Sequence, residues 1–212
     1  PVRNFSNDVD YVYHPNPDMY YFTGYKEPHS LLLIFKDPQT NGDGSTYNEV
    51  LFVQKRNPRA EQWTGRRLGV EGVKEKLKIS TVYNGENFKS FMIDFSKFDK
   101  ILYDHIPNDV DNSAQDPADL YDLLEQLKQK IGMPPAGTRD KRISLDLYQS
   151  LTASLREIKT EQEMVLLRKA VEISCAGQNE VMKAIKPNMS ERELQGLHEF
   201  VHKKYGAEHW GY

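Results

Sequence analysis

Apolar and polar positions follow one rhythm in the first half of the chain and another in the last quarter. Residues 30–36 and 47–54 are two apolar runs joined by Asp37-Pro38-Gln39-Thr40-Asn41-Gly42-Asp43-Gly44-Ser45. The Gly and Asn of that link supply the positive φ a turn needs, so the pair predicts a long-looped hairpin. Further strands are expected at 80–83 and 100–103. Between them, Phe88, Phe91, Met92 and Phe95 fall at helical spacing, which predicts a helix over 86–95 and a strand–helix–strand crossover. The polar stretch 108–117 reads as a surface loop. Residues 118–131 read as a helix with Leu120, Leu123, Leu124, Leu127 and Ile131 on one face, closed by Gly132-Met133-Pro134-Pro135.

Past Lys159 the texture becomes that of long helices. Thr160 and Glu163 form a capping-box pattern. Met164, Leu167, Val171, Ser174, Gln178, Met182 and Ile185 then follow at roughly heptad spacing until Lys186-Pro187 stops the run. A second box, Ser190 with Glu193, opens a helix expected to end on Gly206. The expected fold is therefore α/β, a mixed sheet flanked by helices, followed by a helical segment, with the boundary at 152–159.

The balance of 28 Lys and Arg against 31 Asp and Glu gives a net charge of −3 over 212 residues. No global basic field exists to hold nucleic acid or an anionic membrane. The longest apolar stretch, 31–35, is far short of the ~20 residues a membrane span requires. A single cysteine, Cys175, excludes an internal disulfide framework and a thiolate metal cluster and leaves the compartment open. Its place near the apolar stripe of the long helix predicts a packed thiol. The opening Pro1-Val2-Arg3-Asn4, with no cap and no apolar element, reads as a start in mid-domain.

Four patterns invite chemistry. His198-Glu199-Phe200-Val201-His202 is a literal H-E-x-x-H, the spacing that sets two imidazoles on one helix face for zinc. The later Gly206 and His209 miss the extended zinc-protease register by one residue, and the apolar face through Leu194, Leu197, Val201 and Tyr205 puts His198 on the buried side with His202 at its margin. Helix packing is therefore the expected role of both rings. Trp63-Thr64-Gly65-Arg66-Arg67-Leu68-Gly69 reads as a loop after a strand, with paired arginines able to grip a carboxylate. Asn7-Asp8-Val9-Asp10 carries two acids at i and i+2, on one side of a strand.

Two runs carry more. Tyr20-Tyr21-Phe22-Thr23-Gly24-Tyr25-Lys26-Glu27-Pro28 and Glu61-Gln62-Trp63-Thr64-Gly65-Arg66-Arg67-Leu68-Gly69 together resemble the N-terminal domain of Xaa-Pro aminopeptidases, the aminopeptidase P family. Ser154-Leu155-Arg156-Glu157-Ile158-Lys159-Thr160-Glu161-Gln162-Glu163 resembles the helical opening of that family's pita-bread catalytic domain. The likeness is carried by 7–28, 49–69 and 154–212. It implies an N-terminal domain over 1–153 that lacks its first elements, and a catalytic domain begun at 154–212.

The resemblance also implies an activity: removal of the N-terminal residue from peptides with proline second. Two metal ions, usually manganese, would be held by two Asp, one His and two Glu, all beyond Tyr212, so that 1–212 alone would be inert. It assigns Trp63 to a loop that reaches a neighbouring subunit's active site, Asp8 to the substrate cleft and Tyr212 to a hydrogen bond near the metals. A peptide substrate and a homo-oligomer follow as partners, with a cytoplasmic location favoured over export. The alternative is a non-catalytic relative serving as a peptide-binding or protein-interaction module, since a fold does not fix a function.

Overall fold

The computed structural model describes residues 2–6, 9–104, 106–107, 110, 112, 117–132 and 140–209. The chain divides into two compact units, Pro1–Ser150 and Leu151–Tyr212.

The first unit opens with a small antiparallel pair, β1 (Asn4–Ser6) with β2 (Val9–Asp10), followed by α1 (Pro17–Thr23). Its main sheet is built on β4 (Thr46–Val53), which lies between β3 (Leu31–Thr40) and β5 (Val82–Asn84). Consecutive residues of β4 face opposite sides. Val50 and Phe52 enter one core with Phe35, Tyr47, Phe88 and Phe95, while Leu51 and Val53 enter another with Tyr25, Val73, Ile79 and Val82. Such two-sided burial demands a continuous apolar run rather than alternation, which is what 50–53 provides. β3 pairs antiparallel and β5 parallel, so the sheet is mixed. The first core is closed by α4 (Leu120–Ile131), whose Leu123, Leu127 and Ile131 are buried. The second is closed by α3 (Gly69–Leu77) through Val73.

The β3–β4 hairpin matches the expected pair of strands, but its connection is tighter than expected. β3 runs on to Thr40, and the reversal occupies only 41–45. Asn41 N–H donates to the Ser45 carbonyl at 2.8 Å, and Gly44 takes φ 85°. The extra residues of the longer strand are absorbed by an irregularity between Ile34 and Gln39, around Pro38, which has no N–H to give the ladder.

Three expectations for this unit need correction. Residues 86–95 do not form a helix. The chain makes short 3₁₀ turns at Gly85–Phe88 and Phe95–Lys97, with Asp94 accepting from Ser96 N–H at 3.1 Å. Local capping competes with helix propagation there, and Phe88 and Phe91 turn onto Phe52 instead, at ring distances of 4.8 and 5.2 Å, while Met92 stays exposed. At 100–103 there is no strand, only a single parallel bridge from Ile101 to Ile143. The crossover between parallel β4 and β5 therefore uses α2 (Pro58–Thr64) and α3, which flank the stretch 63–69 read as a loop from the sequence.

A further helix, α5 (Leu145–Glu157), carries the chain from the first unit into the second. Both expected capping boxes are present. Thr160 N–H donates to Glu163 Oε2 at 2.7 Å ahead of α6 (Glu161–Ala184), and Ser190 N–H to Glu193 Oε2 at 2.8 Å ahead of α7 (Glu191–Lys204). The packing face of α6 is not the heptad stripe. Ile173 and Gly177 are buried, while Leu167, Val171, Met182 and Ile185 are exposed, because α7 lies along the other flank. Cys175 goes with the exposed side and is not a packed thiol. His198 is buried as expected, and His202 is buried rather than marginal.

Candidate functional site

The first aromatic motif is a capped turn. Asn16 Oδ1 accepts from Asp18 and Met19 N–H at 2.9 and 3.0 Å, and Pro17 sits at the first helical position, where its missing N–H costs nothing. α1 ends where Gly24 takes φ 69° and returns its N–H to the Tyr20 carbonyl at 2.7 Å. Thr23 Oγ1 then accepts from Tyr25 N–H at 2.9 Å, which aims Tyr25 into the core. The Tyr25 ring is fully buried, and its hydroxyl donates to Glu27 Oε2 at 2.9 Å. Burial, together with the negative charge of Glu27, pushes the Tyr25 hydroxyl well above its ordinary pKa, so it remains a donor at every working pH.

Glu27 also joins the two motifs. Its other oxygen, Oε1, accepts from Leu68 N–H at 2.7 Å across 41 positions of sequence. The second motif is fixed by a further carboxylate. Glu61 receives Arg56 in a two-pronged bond, Nε to Oε1 at 2.7 Å and Nη2 to Oε2 at 2.8 Å, and Asn57 N–H at 2.9 Å. The Arg56 hydrogen bond is the largest cause that holds the Glu61 carboxyl below its usual range, with the Asn57 and Arg67 N–H groups adding to it. Gly69 completes the arrangement. At φ 60° it favours glycine, and a Cβ there would lie 2.7 Å from Arg56 Cγ. The Arg56 stem thus lies across the start of α3, and its fork holds α2.

A cleft of about 280 Å³ opens beside this network, past the C-terminal ends of parallel β4 and β5. Crevices at carboxyl strand ends are where open α/β sheets take their ligands. Its walls include Gln54, Lys55, Arg56 and Arg67 after β4, and Gly85 and Glu86 after β5. Lys55 Nζ stands 3.8 Å from Glu86 Oε2, and Arg67 Nη1 donates to the Lys55 carbonyl at 3.3 Å. The cleft is therefore polar and mainly cationic.

Trp63 lies on α2, a helix, not a loop. Its indole is 91% exposed and belongs to neither core. Arg66 is exposed, Arg67 turns to the Lys55 carbonyl, and Glu61 is gripped by Arg56, five positions before it. Asp8 and Tyr212 lie outside the described residues. Sequence reasoning missed Arg56, Asn57 and Glu61 as a unit, although Asn57-Pro58 is a readable helix-start signature.

The two histidines of the H-E-x-x-H pattern are used for packing. Their rings sit 4.2 Å apart, both against Gly177 of α6, and His202 Nδ1–H donates to the His198 carbonyl at 2.9 Å. Burial, reinforced by His202, lowers the His198 pKa. Among the described residues no group of three His, Cys, Asp or Glu side chains is placed to hold a metal ion.

Residues 1–103 match the model of the aminopeptidase P N-terminal domain. The Xaa-Pro aminopeptidase of Escherichia coli K12 is 28% identical over 100% of this chain and 45% of its own length. That of Haemophilus influenzae is 26% identical over 92% of this chain and 40% of its own. Intermediate cleaving peptidase 55 of Schizosaccharomyces pombe is 30% identical over 86% of this chain and 35% of its own. Among solved structures, Escherichia coli aminopeptidase P in a low-pH form matches with a TM-score of 0.70 at 26% identity, over 100% of this chain and 45% of that one. The mixed sheet with its flanking helices agrees with the N-terminal region of that structure. Residues 1–103 carry the aminopeptidase P N-terminal domain, and the chain as a whole is similar to Xaa-Pro aminopeptidases. It spans less than half the length of these relatives.

Proposed function

We propose that this chain is the N-terminal part of a metal-dependent aminopeptidase that removes the first residue from peptides whose second residue is proline. Residues 1–153 form its N-terminal domain and 154–212 the start of its pita-bread domain. Two manganese ions belong to the catalytic part that the relatives carry beyond this span, and no step of the chemistry is assigned to side chains of 1–212. The role of this segment is contact. Trp63 covers substrate where subunits meet in a homo-oligomer, Asp8 lines the substrate cleft, and Tyr212 donates a hydrogen bond close to the metals.

The observation that carries the reading is the state of Trp63: a bare indole on an element otherwise tied down by a network joining both family motifs. Tryptophan is among the residues most enriched as binding anchors. The test is Trp63→Ala in the full-length protein. Loss of an anchor raises KM or lowers kcat/KM on Xaa-Pro peptides by roughly tenfold, the equivalent of about 1.4 kcal/mol, with the melting temperature unchanged. Unchanged kinetics withdraws Trp63 from the site.

A further inference from the structure

Most elements of this protein are held by buried apolar side chains, and α2 is not. None of its residues is buried, and none joins either core. What fixes it is polar. The Arg56 fork grips Glu61, two positions before Trp63, and Glu61 caps Asn57 N–H. Asn57 Oδ1 accepts from Arg59 and Ala60 N–H, both at 3.2 Å. The Arg56 stem is itself seated by Gly69, where any Cβ would strike it at 2.7 Å, and the chain just before that glycine is pinned by Glu27 on Leu68 N–H at 2.7 Å.

We propose that the Arg56–Glu61 fork, seated on Gly69, is a latch that positions Trp63. Arg56 and Glu61 are then positioning residues whose loss frees the indole without unfolding the domain. The proposal rests on the reading of Trp63 given above only for its effect on catalysis. The latch itself is independent of that reading. An ionic fork between two atoms on each side fixes direction as well as distance, which a lysine's point charge does not. A helix of two turns with no buried apolar face lacks the means to hold itself in water, so removing the fork leaves it only the Asn57 cap and the Asn57 and Arg67 N–H bonds to Glu61.

The experiment compares Arg56→Ala, Arg56→Lys and Gly69→Ala with Trp63→Ala in the full-length protein, using hydrogen exchange over 58–67 and Trp63 fluorescence anisotropy in a Trp210→Phe background. Both Arg56 variants and Gly69→Ala are expected to speed exchange across 58–67 and lower the anisotropy, Arg56→Lys least, while exchange in β4 and α4 stays as in the parent. On Xaa-Pro peptides Arg56→Ala raises KM by no more than Trp63→Ala does, and the double variant is no worse than Trp63→Ala alone, because both remove one contact. If Trp63→Ala leaves kinetics unchanged while Arg56→Ala still loosens α2, the latch stands and the substrate role of Trp63 falls. If Arg56→Ala leaves α2 as ordered as before, or loosens β4 and α4 equally, the latch is refuted. Should Arg56→Ala not accumulate as folded protein, Arg56→Lys and Gly69→Ala carry the same comparison.

Discussion

Replacing Gly177 by alanine ought to stabilise a helix and is expected to destabilise this one. Glycine in a helix interior costs about 1 kcal/mol relative to alanine, so on propensity alone the change is favourable. Here the new Cβ would stand 3.0 Å from His198 Cδ2, 3.0 Å from His202 Cε1 and 3.1 Å from His198 Nε2. Those are ring atoms of two buried side chains, and the His202 ring cannot swing aside without giving up its bond to the His198 carbonyl. Overpacking of this kind costs about 1–3 kcal/mol, so the net expectation is a loss of up to ~2 kcal/mol. Denaturant unfolding followed by circular dichroism gives the number, and hydrogen exchange of α7 amides locates it. A second background sharpens the test: with both His198→Ala and His202→Ala in place the obstruction is gone, and Gly177→Ala should then stabilise by up to ~1 kcal/mol. A change of sign between the two backgrounds is the signature. If Gly177→Ala stabilises the parent protein, α6 and α7 are not packed ring against backbone as described.

Two pH responses and one cap follow. The His198 pKa is lowered by burial, so the stability it lends α6–α7 is fully present above its ordinary 6.5 and is lost as pH falls through the folded value; imidazole NMR titration beside α7 exchange rates will show loosening on the acid side only. Glu61 is likewise held below its ordinary 4.5, so order in α2 persists above that pH and disappears as pH falls through the folded value; Trp63 anisotropy in the Trp210→Phe background that is already lost above pH 4.5 contradicts the assignment. Thr160→Ala removes the hydroxyl that accepts from Glu163 N–H at 3.3 Å and should cost about 1 kcal/mol, read as faster exchange confined to the first turn of α6.

The parts of this fold legible in the sequence are those whose cause is local. The run 50–53 announces a doubly buried strand, Leu123, Leu127 and Ile131 announce the buried face of α4, and Thr160/Glu163 and Ser190/Glu193 announce two helix starts. What was illegible has distant or absent packing causes. α2 buries nothing, so it leaves no periodic trace and reads as a loop. Residues 86–95 carry a helical period that is overridden by Phe52, which draws the rings of Phe88 and Phe91 inward. The heptad stripe of α6 is real in the sequence, yet within its unit the partner lies on the Ile173–Gly177 side. Of the site, the two motifs were visible and their coupling was not, because Glu27 and Leu68 meet only in the folded sheet.

The polar attachment of α2 has a calorimetric consequence. The enthalpy and heat-capacity change of unfolding follow the surface newly exposed, and chiefly the apolar part for heat capacity. In the first unit that surface belongs to the two cores, to which α2 contributes nothing. Release of α2 should therefore pass almost without a thermal signal, leaving the melting curve where it was. Substitutions at Arg56, Asn57 or Glu61 would look neutral in any screen that sorts variants by melting temperature, and their effect would appear only in a measurement that watches the indole itself.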